Sequence, residues 1–190
     1  MALNEFAVEV NAPTHIVNAV IESNNARKFD CVERIINACN GTVKNKQIAI
    51  LGVAFKANTD DIRESAALDI IDGLYDAGAN LRVYDPAALD NARQYFQHHN
   101  NIVYADNIKA CLNGAHALVI LTEWNEFRTL DLAQVATMLC AHDTYSPAVF
   151  MDFRNIYTAQ DFVKLNVRYV SIGRPSVQPQ NTSVVNNAIN

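Results

Sequence analysis

Glycine is scarce in this chain and its spacing is uninformative in the usual way. Of six glycines in 190 residues, only Gly52 follows the first long apolar run, and no G-x-G-x-x-G pattern surrounds it. The bare backbone cradle that receives a pyrophosphate at a helix start is therefore not encoded there. Cysteine is equally sparse. Cys31, Cys39, Cys111 and Cys140 form no C-x-x-C pair and stand at no zinc-ligand spacing with a histidine. Each falls on an apolar helical stretch, where a free thiol packs as a small hydrophobe. Positive charge is in deficit, with 15 Lys and Arg against 20 Asp and Glu and a net charge of -5. That balance argues against a general nucleic-acid surface, while leaving room for a local cationic cluster facing a phosphate. No apolar run approaches the ~20 residues of a membrane helix, and no signal-peptide layout opens the chain. A reduced, cytoplasmic setting is the expectation.

What is present is an ordinary globular composition, half apolar and 18% charged. At this length roughly 70% of the unfolded surface can be buried without a covalent staple. Residues 1–41 read as helical. Leu3, Phe6, Ala7 and Val10 fall at helical spacing, and a longer run extends from about Pro13 to Cys39. Ile16, Val20, Ile21, Val32, Ile35, Ile36 and Cys39 supply its apolar face, and Asn40-Gly41 is its stop. Such a rod, roughly 40 Å long, links domains or buries its face against a partner.

From Lys46 the texture alternates between strand and helix. Gln47–Phe55 is a continuous apolar run typical of a strand buried on both faces. Helix follows over Ala66–Asp76, strand over Leu81–Tyr84, helix near Ala88–Phe96 and a short strand at Ile102-Val103. Further helices are expected near Ile108–Leu112, Leu132–Leu139 and Gln160–Leu165, with strands at His116–Leu121, Ala148–Asp152 and Arg168–Ser171. Short connections between alternating elements imply a doubly wound, Rossmann-like parallel sheet over 42–175, preceded by a long helix. Residues 176–190 hold no charge and are expected to form a flexible tail.

In an open α/β sheet, ligands bind beyond the C-terminal strand ends. The segment after the first strand carries Lys56 and Arg63 on either side of Asp60-Asp61, and Ser65 is suited to cap the helix that starts at Ala66. Lysine offers a point charge and arginine a fork for two phosphate oxygens. The competing reading is a surface loop in which the aspartates simply pair with these cations. His98-His99 lacks neighbouring ligands and reads as a solvated turn. Trp124 either stacks on a ligand or packs under the loop. Asp152 and Arg154 follow a strand end as a candidate buried pair, and Asp85, followed by Pro86, is assigned a structural role. A phosphoacceptor domain of flavodoxin-like order, suggested by Asp60-Asp61 and Thr122, would need a lysine after the last core strand, where Asp152-Phe153-Arg154 offers none.

Phe55-Lys56 followed by Asn58-Thr59-Asp60-Asp61-Ile62-Arg63-Glu64-Ser65 resembles the signature loop of the UDP-glucose/GDP-mannose dehydrogenase family. Val83-Tyr84-Asp85-Pro86, Thr122-Glu123-Trp124-Asn125-Glu126-Phe127, Asp152-Phe153-Arg154-Asn155 and Ser171-Ile172-Gly173-Arg174-Pro175 match further motifs in order. The last is more similar to the UDP-glucose enzymes than to the amino-sugar members. The resemblance implies a UDP-binding domain at 42–175, with 1–41 as part of a central helical segment through which a homodimer forms. It implies that Phe55, Lys56 and Arg174 bind UDP-glucose and that Arg63 approaches the NAD pyrophosphate. Members oxidise the sugar's C6 alcohol to a carboxylate with NAD, through a cysteine in a Gly-Gly-Ser-Cys-Phe-Pro-Lys-Asp type segment. That segment is absent here, so the chain is expected to begin downstream of it, to contain no catalytic residue and to be inactive alone. The other readings are a stand-alone nucleotide-sugar binding or regulatory module, and a dehydrogenase acting on GDP-mannose or a UDP-N-acetylhexosamine.

Overall fold

The computed structural model describes residues 14–139 and 147–179. The expected helix over Leu3–Val10, Cys140 and the chain from 180 onward lie outside the described residues. Helix α1 spans His15–Ala38 and buries only its end, at Ile35 and Ala38. Earlier in the helix the apolar residues Ile16, Val20 and Phe29 stay 82%, 53% and 72% exposed. Asn40 and Gly41 take positive φ of 61° and 79°, and the Gly41 N–H donates to Ile36 O at 2.9 Å, ending the helix where glycine permits it.

Strands β1 (Gln47–Leu51), β2 (Asn80–Tyr84), β3 (Ile102–Tyr104), β4 (Ala117–Ile120), β5 (Val149–Asp152) and β6 (Arg168–Ser171) form one sheet of order β3-β2-β1-β4-β5-β6. All five pairings are parallel. Helices α2 (Ala66–Asp76), α3 (Leu89–Tyr95), α4 (Ile108–Leu112), α5 (Asn125–Arg128) and α6 (Leu132–Met138) fill the connections. Among the described residues the expected strands and helices are present, with the last expected helix reduced to a 3-10 turn at Ala159–Phe162 under a Thr158–Asp161 capping box. Helix α5 is an addition that sequence periodicity did not signal.

The alternation within β1 explains why its run is unbrokenly apolar. Ile48 and Ile50 join one core with α1, α2 and Leu74, whereas Ala49 and Leu51 join the other with Leu118, Phe127 and Phe150. Both faces are covered, as in parallel sheets generally. Helix α1 packs on α2 closely: a Cβ on Gly73 would lie 2.8 Å from Val32 Cγ2. Lys28 and Asp69 tie the same two helices at 2.8 Å.

Two expectations need correction. The tail does not detach at 176, because Val177 exchanges both backbone hydrogen bonds with Tyr169, at 2.9 and 3.0 Å, along the open edge of β6. His99 is not a solvated turn: its Nε2 lies 2.9 Å from Asp72 Oδ1, and its ring meets Tyr75 edge-on at 4.1 Å. Local polarity of the Gln/Asn loop hid a partner supplied by α2. The flavodoxin-like alternative fails on strand order, since that fold places β2 at the sheet edge, beside β1.

Candidate functional site

The site is built outward from the crossing of β1 and β4. Gly52 ends β1 with φ +94°, and a Cβ there would lie 2.5 Å from Thr122 Cβ. Thr122 is fully buried and its hydroxyl donates to Ala54 O at 2.7 Å, so the two strand ends are locked together. Beside them Asp85, at the end of β2, is buried and accepts five hydrogen bonds. Val53 N–H and Ala54 N–H reach Oδ2 at 2.8 and 3.0 Å, and Trp124 Nε1–H reaches the same oxygen at 3.2 Å. Ala87 and Ala88 N–H both donate to Oδ1 at 2.9 Å. Asp85 is structural, and Trp124 packs under the loop rather than standing open to a ligand. The backbone amides that would hold a pyrophosphate at this switch point already hold a carboxylate. A dinucleotide in the usual Rossmann place does not fit this chain.

The loop from Phe55 to Ser65 leaves that anchor. It closes on itself through Phe55 N–H to Asp61 O at 2.9 Å, with Asn58 and Glu64 at positive φ of 63° and 58°. Arg63 donates its main-chain N–H, Nε and Nη2 to the Asp61 carboxylate at 3.0, 2.9 and 2.7 Å, with its side chain 86% exposed. The bland pairing weighed from the sequence is thus real for Arg63. No hydrogen-bond or ion-pair partner meets Lys56 among the described residues. Ser65 Oγ accepts Ala67 N–H at 3.3 Å and caps α2 as expected.

Hydrogen bonds from Arg63 hold the Asp61 carboxyl down at about 2, against an ordinary 3.8. A lowered carboxyl favours the folded loop above the unfolded value, and the advantage is lost as pH falls through about 2. Carbon-detected NMR titration of Asp61 should give a midpoint near 2, returning toward about 4 in Arg63→Ala. An unchanged midpoint in that variant would contradict the pairing.

A hollow of about 800 Å³ lies beyond the C-terminal ends of β1, β4, β5 and β6, with α1 as its far wall. Phe55, Leu121, Phe153 and Ile172 give it apolar surface, and Ala66 and Ala67 bring the positive end of the α2 dipole. Its charged lining is cationic on balance: Arg27, Lys28, Arg34 and Arg154 against Asp30 and Glu64. Lys56, Arg63 and Arg174 are chain neighbours of the wall residues Phe55, Glu64 and Gly173 but are not themselves part of the lining. Arg174 instead donates Nη1 to Tyr157 O at 3.1 Å.

Arg154 is the cation that reading by strand ends passed over as half of a buried pair with Asp152. The structure separates them. Asp152, fully buried, accepts Tyr157 N–H at 2.9 Å, Tyr169 Oη–H at 3.2 Å and the main-chain N–H of Arg154 at 3.1 Å. The Arg154 guanidinium goes to Glu123, through both Nε and Nη2. Asn155 follows at φ 53° and clips the next strand end, donating to Ile172 O and accepting from Ile172 N–H, both at 3.2 Å. The run Asp-x-Arg-Asn thereby fixes one wall of the hollow. The pairing of β5 with β4 and with β6 brings Glu123, Tyr169 and Ile172 to this run, so sequence spacing carried no signal for those contacts.

None of the described thiols is prepared for nucleophilic work. Burial pushes Cys39 up to about 11 and Cys111 up to about 12, and raises Cys31 as well. Each stays protonated at neutral pH. Among the described residues no group of three or more His, Cys, Asp or Glu side chains is placed to hold a metal ion. None of the described helices is long and apolar enough to cross a membrane.

A parallel sheet of this strand order, with a cation-walled hollow at its C-terminal edge, defines a doubly wound α/β domain of the nucleotide-binding class. The chain belongs to the UDP-glucose/GDP-mannose dehydrogenase family, whose UDP binding domain model matches residues 49–159. It is 37% identical over 175 residues to a UDP-glucose 6-dehydrogenase of Rhizobium meliloti, covering 92% of this chain and 38% of that protein. A UDP-glucose 6-dehydrogenase of Bacillus subtilis is 33% identical over 177 residues, which is 93% of this chain and 36% of the relative. The solved UDP-glucose dehydrogenase of Pyrobaculum islandicum superposes with a TM-score of 0.69 at 25% identity, over 89% of this chain and 34% of that one. The chain thus spans little more than a third of the length of these relatives.

Proposed function

We propose that this chain is the UDP-binding part of an NAD-dependent dehydrogenase that oxidises UDP-glucose to UDP-glucuronate, and that it has no such activity alone. The cation-walled hollow that begins at Phe55 of the signature loop carries this reading. A diphosphate is recognised by convergent cations and a helix N-terminus, and Arg154 with the start of α2 supplies both on one wall. Phe55 contributes an apolar contact to the sugar nucleotide. Lys56 and Arg174, each one residue removed from the wall, bind the substrate as well. Arg63 reaches the NAD pyrophosphate from outside the domain, because Asp85 fills the place a dinucleotide would take within it. The exposed apolar residues Ile16, Val20 and Phe29 on α1 form the contact of a homodimer. Reduced, inert thiols suit a cytoplasmic enzyme.

Calorimetric titration of UDP and GDP into the chain tests this. UDP should bind more tightly than GDP, and Lys56→Ala, Arg154→Ala and Arg174→Ala should each weaken UDP about tenfold or more, the loss of one charged hydrogen-bonding group. A preference for GDP would redirect the substrate to the guanosine members. Binding indifferent to all three substitutions would refute the site.

A further inference from the structure

The Arg154 guanidinium is held at one edge only. Its Nε and Nη2 both meet Glu123 Oε2, which leaves Nη1 and the outer N–H of Nη2 for another acceptor. At its other end the residue is fixed by the main-chain hydrogen bond to buried Asp152. Glu123 is itself immobile at its backbone. It lies between Thr122, whose hydroxyl is bound to Ala54 O at 2.7 Å, and Trp124, whose indole is bound to Asp85. Arginine loses much rotamer freedom when it is frozen. A guanidinium already frozen in the free protein does not lose that freedom again when ligand arrives.

Building on the reading of the hollow as a nucleotide site, we propose that Glu123 is a positioning residue for diphosphate recognition. It turns the Arg154 fork so that its free edge faces the hollow. The carboxylate takes the edge that points along the β4–β5 side of the sheet, and phosphate oxygens take the other. The opposite behaviour is chemically simple to state: a carboxylate that competes with phosphate for the same edge. Removing its charge would then tighten binding.

Four proteins separate these cases: the unaltered chain, Glu123→Gln, Arg154→Ala and the double variant, each titrated with UDP. Glu123→Gln is expected to weaken UDP three- to tenfold, and the double variant to match Arg154→Ala within about twofold. In ligand-free protein the Arg154 Nε–H signal should be resolved by ¹⁵N NMR and slow to exchange, and Glu123→Gln should erase it with little change in melting temperature. A purely structural Glu123 would instead lower stability and add its full penalty on top of Arg154→Ala. That outcome overturns the proposal, as does UDP binding equal to or tighter than the unaltered chain in Glu123→Gln. A chain that does not bind UDP at all overturns the parent reading with it. UDP binding that Arg154→Ala weakens and Glu123→Gln leaves unchanged overturns this inference alone.

Discussion

Asp85→Ala is expected to destabilise the chain by about 4 kcal/mol, toward the upper end for a single substitution. The carboxylate accepts from four backbone amides and one indole, and Val53, Ala54, Ala88 and Trp124 donate from buried positions. Each buried donor left unmet costs about 1–3 kcal/mol. The sum is not additive, because one invading water can satisfy two or three donors at once. Asp85→Asn should be milder, about 2 kcal/mol, since its amide oxygen serves one group of donors while its NH₂ opposes the other. Trp124 is the chain's only tryptophan, so urea unfolding followed by its fluorescence reports on the site directly. A loss of less than about 1 kcal/mol in Asp85→Ala would show that the network is replaceable by water. UDP affinity should fall in parallel, because Phe55 leaves the strand through the two amides that Asp85 holds.

Gly52→Ala should be nearly as severe, at about 3 kcal/mol or more. Two costs combine there. A φ of +94° is strained for any residue with a Cβ, by about 1–3 kcal/mol. The added methyl would also lie 2.5 Å from Thr122 Cβ and 2.7 Å from Thr122 N, inside a packed strand pair with nowhere to yield. Removing the threonine side chain does not cure this, since Thr122 N remains, so Thr122→Gly should fail to rescue Gly52→Ala. Gly41→Ala is the control: its φ is +79° but nothing lies within 4 Å, and only the left-handed backbone cost of about 1–2 kcal/mol applies. Equal midpoints for the two glycine variants in chemical unfolding would contradict the close β1–β4 contact.

Much of the domain was legible before any coordinates. The apolar run ending at Gly52, the Ser65 cap with its helix to Asp76, and Asn40-Gly41 each announced an element by local chemistry, and each is present. Local chemistry also supported a structural Asp85, since a proline after it closes off the ordinary ribose role. It misjudged His99, Arg154 and Val177. Their partners, Asp72, Glu123 and Tyr169, lie 27, 31 and 8 residues away and are brought near by helix packing, by strand order and by the open edge of β6. The two cations chosen from loop composition, Lys56 and Arg63, illustrate the same limit. A charged loop shows that cations are available, whereas their direction depends on the nearest carboxylate, and for Arg63 that is Asp61, two residues back.

By itself, then, the chain's order of residues determined the alternation of strand and helix, the parallel sheet that follows from it, and the loop motifs that mark the family. Those properties depend on side-chain period, backbone propensity and turn chemistry, all of which act over a few neighbouring residues. Which cation faces the hollow, which carboxylate turns it, and which amides are already occupied were decided only when β1, β2, β4, β5 and β6 came side by side. Hydrogen bonds and ion pairs act over about 3–4 Å, so they answer to distance in space and not to distance along the chain.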